Sequence, residues 1–150
     1  MFRLLDTITA MKALTVLIII LALAGVVVST VVLKEHYSNE TSVCDINAKW
    51  DCGIVNHTPY SLFHGIPVAM IGIVGYALIG ILAGRFPVLT ALAALGGLGF
   101  ALRLTYFEWK VIGVWCIYCV SSQVIIACVF LLATTAAVLS RRRAGRLSPG

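Results

Sequence analysis

Apolar residues run along this chain in four long stretches: about 13–33, about 66–84, about 87–106 and about 112–139. Only the third carries a charge, Arg103 near its end. A helix that crosses hydrocarbon needs about 20 apolar residues, and all four stretches are near that length. The pattern therefore predicts an all-α membrane protein, a four-transmembrane-helix bundle forming one membrane domain over residues 1–150. The long polar loop, about 34–65, lies between the first and second helices. Pro67 and Pro87 stand at the starts of the second and third stretches, where a first helical turn tolerates proline. The first stretch exceeds the ~7–15 residues of a signal-peptide core and is closed by no small-x-small site, so it reads as a span.

Composition agrees. The chain has 150 residues, 61% of them hydrophobic and 11% charged, with mean hydropathy +1.03. A soluble domain would need far more polar surface around its core. With four spans, Arg3, Lys12, Arg85, Arg141, Arg142, Arg143 and Arg146 share one side, and Lys34, Lys49, Arg103 and Lys110 share the other. The excess of basic residues on the first side predicts cytoplasmic termini. Arg141-Arg142-Arg143 then reads as a topology anchor near anionic lipid rather than a nucleic-acid contact. The loops with the cysteine pairs fall on the extracytoplasmic side, where thiols can be held as disulfides.

Five cysteines are present, and four of them form two pairs. Cys116 and Cys119 make a C-x-x-C at the start of the fourth stretch. Three residues apart on a helix, they share a face within bridging distance. Unpaired N–H groups in a first turn favour a thiolate there, which makes a disulfide easier to reduce. A c-type haem site would need His after the second cysteine, and Val120 stands there. Cys44 and Cys52, with seven residues between them, are spaced too widely for a usual zinc pair, so no metal site is expected. A Cys116–Cys119 bridge would close too short a loop to serve mainly as a brace. Cys44 and Cys52 sit in what reads as a mobile polar loop, suited to sulfur-to-sulfur exchange with a soluble protein. Cys128, nine residues past Cys119, reads as an apolar filler. Gly72, Gly75, Gly80 and Gly84, with Gly96, Gly97 and Gly99, read as small residues that let membrane helices approach closely.

Cys44, Asp51-Cys52, Asn56-His57-Thr58-Pro59-Tyr60-Ser61, Gly65-Ile66-Pro67-Val68-Ala69 and Cys116-Ile-Tyr-Cys119, in this order, resemble the vitamin K epoxide reductase family over nearly the whole chain. The resemblance implies a four-helix membrane bundle holding a quinone (menaquinone, ubiquinone or vitamin K type) near its outer end. It implies a quinone-linked enzyme that re-oxidises a soluble thioredoxin-like, DsbA-type protein and so supports disulfide formation. By position, Cys44 would meet the partner, Cys52 would pass electrons to Cys116, and Cys119 would meet the quinone. Thr58 occupies the place, six after Cys52, where many members have Ser. Candidate quinone contacts near the outer end are Tyr60, Phe63, Phe100, Tyr106, Trp115 and Tyr118. Asn56 and His57 either cap a short helix over the bundle or hydrogen-bond a quinone oxygen, and His64 reads as an interfacial residue. Animal members carry Tyr four residues after the last C-x-x-C cysteine, where this chain has Gln123. Their loop is also longer. Vitamin K epoxide is therefore the alternative substrate rather than the first expectation. A non-catalytic module whose disulfides brace an outer loop is a further alternative. Many bacterial members carry a fused thioredoxin-like domain, and the sequence leaves no room for one after Arg146, so the expected redox partner is a separate protein.

Overall fold

A computed structural model describes residues 2–38 and 44–147. Its backbone is mostly helical, as it must be in lipid, where each N–H and C=O needs a partner inside the protein. That constraint holds β-branched runs such as Ile18-Ile19-Ile20 and Val26-Val27-Val28 in helix, against their modest helix propensity. Helix α1 spans Phe2–Tyr37. A short α2, Cys52–Asn56, follows the polar loop. A 3₁₀ turn at Pro59–Ser61 leads to a hairpin of β1, Leu62–Phe63, and β2, Ile66–Pro67. Helix α3 is Val68–Leu82, and α4 is Pro87–Phe107, continued by a π turn at Glu108–Ile112. Helix α5 is Ile117–Leu147.

Three helical segments are long and apolar enough to cross a membrane: Thr7–Tyr37, Pro87–Ile112 and Ile117–Gly145. Their outward faces are apolar: Val27 is 62% exposed and Leu131 65%. An outside this greasy suits hydrocarbon rather than water. Helix α3 is apolar but has only 15 residues, about 22 Å of helix. The expected span at 66–84 is trimmed because its first residues have other partners. Phe63 pairs with Ile66 and Leu62 with Pro67 across a two-residue turn, His64-Gly65, in which both residues have positive φ. Such a turn matches the twist of a hairpin. Pro67 consequently lies just before the helix, not in its first turn, whereas Pro87 is the first residue of α4.

Helix α1 packs against α3 and α5, and α4 packs against α5; α3 and α4 touch much less. The circuit α3–α1–α5–α4 is thus loosely closed on its last side. The core between α1, α3, α4 and α5 holds Ile18, Ala22, Tyr76, Ile79, Ala94, Ile126, Val129 and Ala133. Tyr76 locks three helices. Its ring lies against Gly25, where an added Cβ would fall 2.5 Å from the ring. Its hydroxyl donates to the Ser122 carbonyl at 2.8 Å. In a phase without water, such a hydroxyl needs its partner. Threonines in the spans solve the same problem locally: Thr90 and Thr134 donate to the carbonyls of Phe86 and Phe130, four residues back.

Candidate functional site: a cysteine cluster above an apolar cavity

From Cys44 onward the polar loop is tied to the rest of the fold by hydrogen bonds and a disulfide. The Asn47 side chain accepts from the N–H groups of Lys49 and Trp50, at 2.9 and 3.2 Å, and tightens the turn before Trp50. Residues 49–51 then pair with the chain around Trp115. Trp115 N–H donates to the Lys49 carbonyl at 2.8 Å, and Asp51 N–H donates to the Trp115 carbonyl at 3.1 Å. The Trp50 and Trp115 rings lie 6.3 Å apart over this bridge. Two carboxylates start α2: Asp51 accepts from Ile54 N–H at 2.7 Å and Asp45 from Gly53 N–H at 3.1 Å. The paired segments run on into Cys52 and Cys116, and the register brings these two cysteines together.

Cys44 and Cys52 form a disulfide with Cα atoms 5.6 Å apart. Cys116 and Cys119 are thiols. The sulfurs of Cys44, Cys52 and Cys116 all lie within 4.8 Å of one another. Cys52 and Cys116 are fully buried, and Cys44 is 4% exposed. Thiol–disulfide exchange requires one sulfur to reach another, and this arrangement supplies that contact away from water.

The C-x-x-C geometry differs from two cysteines in one helical turn. The chain was expected to be helical from about 112, but Gly113, with φ +74°, ends the π turn, and Trp115 pairs with the loop before the helix begins. Helix α5 starts at Ile117. Cys116 therefore caps it: its carbonyl accepts from Val120 N–H at 3.0 Å, and its sulfur accepts from Cys119 N–H at 3.4 Å. Cap and third helical position are neighbours in space, which holds the two sulfurs together without a bond. The Cys116 N–H in turn donates to Glu108 Oε2 at 3.4 Å.

Cys119 borders two cavities. The larger, about 420 Å³, lies between α1, α3, α4 and α5, on the side where α3 and α4 are loosely joined. Its walls are mostly apolar, among them Val32, Ile79, Phe100 and Leu104. Its polar points are Ser29, Thr105, Tyr118, and the Tyr76–Ser122 pair. Thr105 also hydrogen-bonds the Gln123 side chain. The smaller cavity, about 20 Å³, is bounded by Asn56, Thr58, Tyr60, Ser61, Glu108 and Cys119, among others.

Of the residues proposed from sequence to touch a quinone, Tyr118 and Phe100 line the large cavity, while Asn56, Thr58 and Tyr60 line the small one. Phe63 borders neither, and stands edge-on to Phe100 at 5.7 Å. Tyr60 stacks on Phe107 at 4.8 Å. Thr58 uses its hydroxyl locally, donating to the Val55 carbonyl at 2.8 Å. Asn56 caps nothing: it is the last residue of α2, whose cap is Asp51. His57 ends α2, its Nδ1 2.8 Å from the Gly53 carbonyl oxygen. Trp115 belongs to the loop pairing, and Tyr106 is 56% exposed. Sequence reasoning passed over Glu108, Tyr76, Ser122, Ser29 and Thr105. A signal existed for them, since polar side chains inside or at the end of apolar spans seldom sit there without a partner.

Fold and site together define a helical membrane protein with a cluster of cysteines in exchange geometry beside an apolar cavity. A model of the Vitamin K epoxide reductase family matches residues 16–134. The chain belongs to that family of membrane oxidoreductases, as its motifs suggested. No curated protein matches it.

Proposed function

We propose that the protein is a quinone-linked thiol oxidoreductase that re-oxidises a soluble thioredoxin-like protein, with Cys44/Cys52 and Cys116/Cys119 as its two redox pairs. The observation that carries the reading is the approach of the Cys44, Cys52 and Cys116 sulfurs to within 4.8 Å, with Cys119 at the wall of a 420 Å³ apolar cavity. That volume and lining fit an isoprenoid quinone head: ligand pockets span about 300–1,000 Å³, mostly apolar with a few polar points. The loose α3–α4 side is the route for a lipid-soluble quinone. Helix α3 is the fourth span, and both termini are cytoplasmic, with the cysteine cluster on the extracytoplasmic face.

The cycle begins with both pairs oxidised. A thiolate of the partner attacks Cys44, breaking the Cys44–Cys52 bond and forming a mixed disulfide. The partner's second thiol resolves that bond, so the partner leaves as a disulfide and Cys44 and Cys52 stay reduced. Cys52 thiolate attacks Cys116, releasing Cys119. Cys44 then attacks Cys52, which restores the loop bridge and frees Cys116. The described state, with the loop pair joined and the inner pair as thiols, is the one that follows. The inner pair closes as its two electrons and two protons pass to the quinone. Because Cys44 is buried, the partner's attack requires local opening of the loop.

The test is quinone reduction by the purified protein in lipid nanodiscs, driven by a reduced thioredoxin-like dithiol. Cys44→Ala and Cys119→Ala are each expected to lose turnover with that donor. Dithiothreitol is expected to restore it in Cys44→Ala, by reducing the inner pair directly, but not in Cys119→Ala. Wild-type quinone reduction by Cys119→Ala would sink the scheme.

A further inference from the structure

Glu108 is the one acidic side chain among the described residues that is fully withdrawn from the surface, at 2% exposure. Nothing in the relay of sulfurs uses it. Its Oε2 accepts from Cys116 N–H at 3.4 Å, and Glu108 and Cys119 border the same small cavity. Glu108 shares this 20 Å³ cavity with Asn56, a side chain 3% exposed whose Nδ2 makes no hydrogen bond to any described residue. A buried amide hydrogen without an acceptor is costly. A cavity of this size has room for one water, which needs polar partners such as these. The remaining titratable groups at this cavity are Tyr60 and Cys119. The basic groups of the same helical segment are turned elsewhere: Arg103 lies over the Phe63 and Phe107 rings, and Lys110 over Trp109.

We infer that Glu108 is the proton acceptor for Cys119, with Asn56 holding a water that completes the proton site. The inference rests on the reading that Cys119 is the sulfur that reduces the quinone. In that step the Cys119 S–H bond breaks, its proton goes to the Glu108 carboxylate, and the sulfur's electron pair is directed at the quinone. The Cys116 thiol loses its proton as the Cys116–Cys119 bond forms. Two electrons and two protons end on the quinol: the Cys119 proton by way of Glu108, and the Cys116 proton as the disulfide closes. The acceptor must lie against the thiol because the apolar cavity offers no bulk water to take the proton.

Two readouts test this. The first is single-turnover quinone reduction by pre-reduced protein. Glu108→Gln is expected to slow it by about 100-fold or more, the usual contribution of a positioned acid–base group, and Glu108→Asp to recover part of the loss. The second needs no quinone: the pH profile of Cys119 alkylation by iodoacetamide, read by mass spectrometry. A thiol that shares its proton with a carboxyl titrates in two steps, so wild type is expected to show two inflections and Glu108→Gln one. A Glu108→Gln protein with wild-type turnover, or with an unchanged alkylation profile, overturns the inference. Asn56→Ala keeps the carboxyl and serves if the Glu108 variant does not fold; it is expected to slow reduction about tenfold, and an unchanged rate overturns the inference equally. Cys119→Ala is run alongside. If it still reduces quinone, the relay itself is wrong; if it does not, a normal Glu108→Gln rate counts against Glu108 alone.

Discussion

Cys116 does three things with one residue. Its sulfur lies within exchange distance of the loop disulfide, the same sulfur caps α5, and its N–H holds Glu108. Ser and Ala substitutions separate the first two. Both end exchange with Cys52, so both are expected to lose turnover with a protein donor. Ser is among the best helix caps and Ala among the worst, a difference of about 1 kcal/mol. Cys116→Ser is therefore expected to melt above Cys116→Ala in a detergent thermal scan while being as inactive. The division of the four cysteines into a Cys44/Cys52 pair and a Cys116/Cys119 pair was legible from spacing and order. The capping role was not, because it depends on where α5 starts. Apolar residues continue without a break from Ile112 into the fourth stretch, and only the left-handed turn at Gly113 and the pairing of Trp115 with the loop push the start to Ile117. Glu108 was hidden for a related reason: a lone acidic residue between two apolar stretches reads as an exposed loop until the fold buries it.

At the scale of helices, the glycines divide into two kinds that sequence cannot separate. Gly25 and Gly97 are contact points, where an added Cβ would meet the Tyr76 ring at 2.5 Å and Ile126 at 3.2 Å. Gly80 approaches Ala22 in ordinary contact. These fit the expected close packing of small residues. Gly75 and Gly96 face open space and belong to the wall of the large cavity. There the missing side chain makes room instead of contact. Gly75→Leu is expected to fold and to keep exchange between the cysteine pairs, because its side chain enters empty volume. The same side chain takes up space in the cavity, so the KM for quinone is expected to rise about tenfold, the loss of one to two apolar contacts. Equal quinone kinetics in wild type and Gly75→Leu would mean that the cavity is not the quinone site. The hairpin at 62–67 is a second element that hydropathy masked, since Ile66 and Pro67 are as apolar as the helix they precede.

For the whole molecule, the long apolar stretches announced membrane helices, and three of them are present at spanning length. The circuit α3–α1–α5–α4 is not written in any single stretch; it follows from which faces pack, and those faces are hardly distinguished when every side is apolar. The proposed four-span topology places Lys49 and Arg142 on opposite sides. In intact cells, a membrane-impermeant maleimide is expected to label Lys49→Cys and to spare Arg142→Cys until the cells are lysed, both in a Cys128→Ala background. Labelling of both before lysis would reject the topology. The loose joint between α3 and α4 carries one more consequence. On the proposed function, a cavity reached from the hydrocarbon samples its electron acceptor as a solution in oil. What sets the rate is then the mole fraction of acceptor among lipids, not its molarity in the tube. Adding acceptor-free lipid that exchanges with the protein's own should slow the reaction at constant total acceptor, as dilution across a surface does.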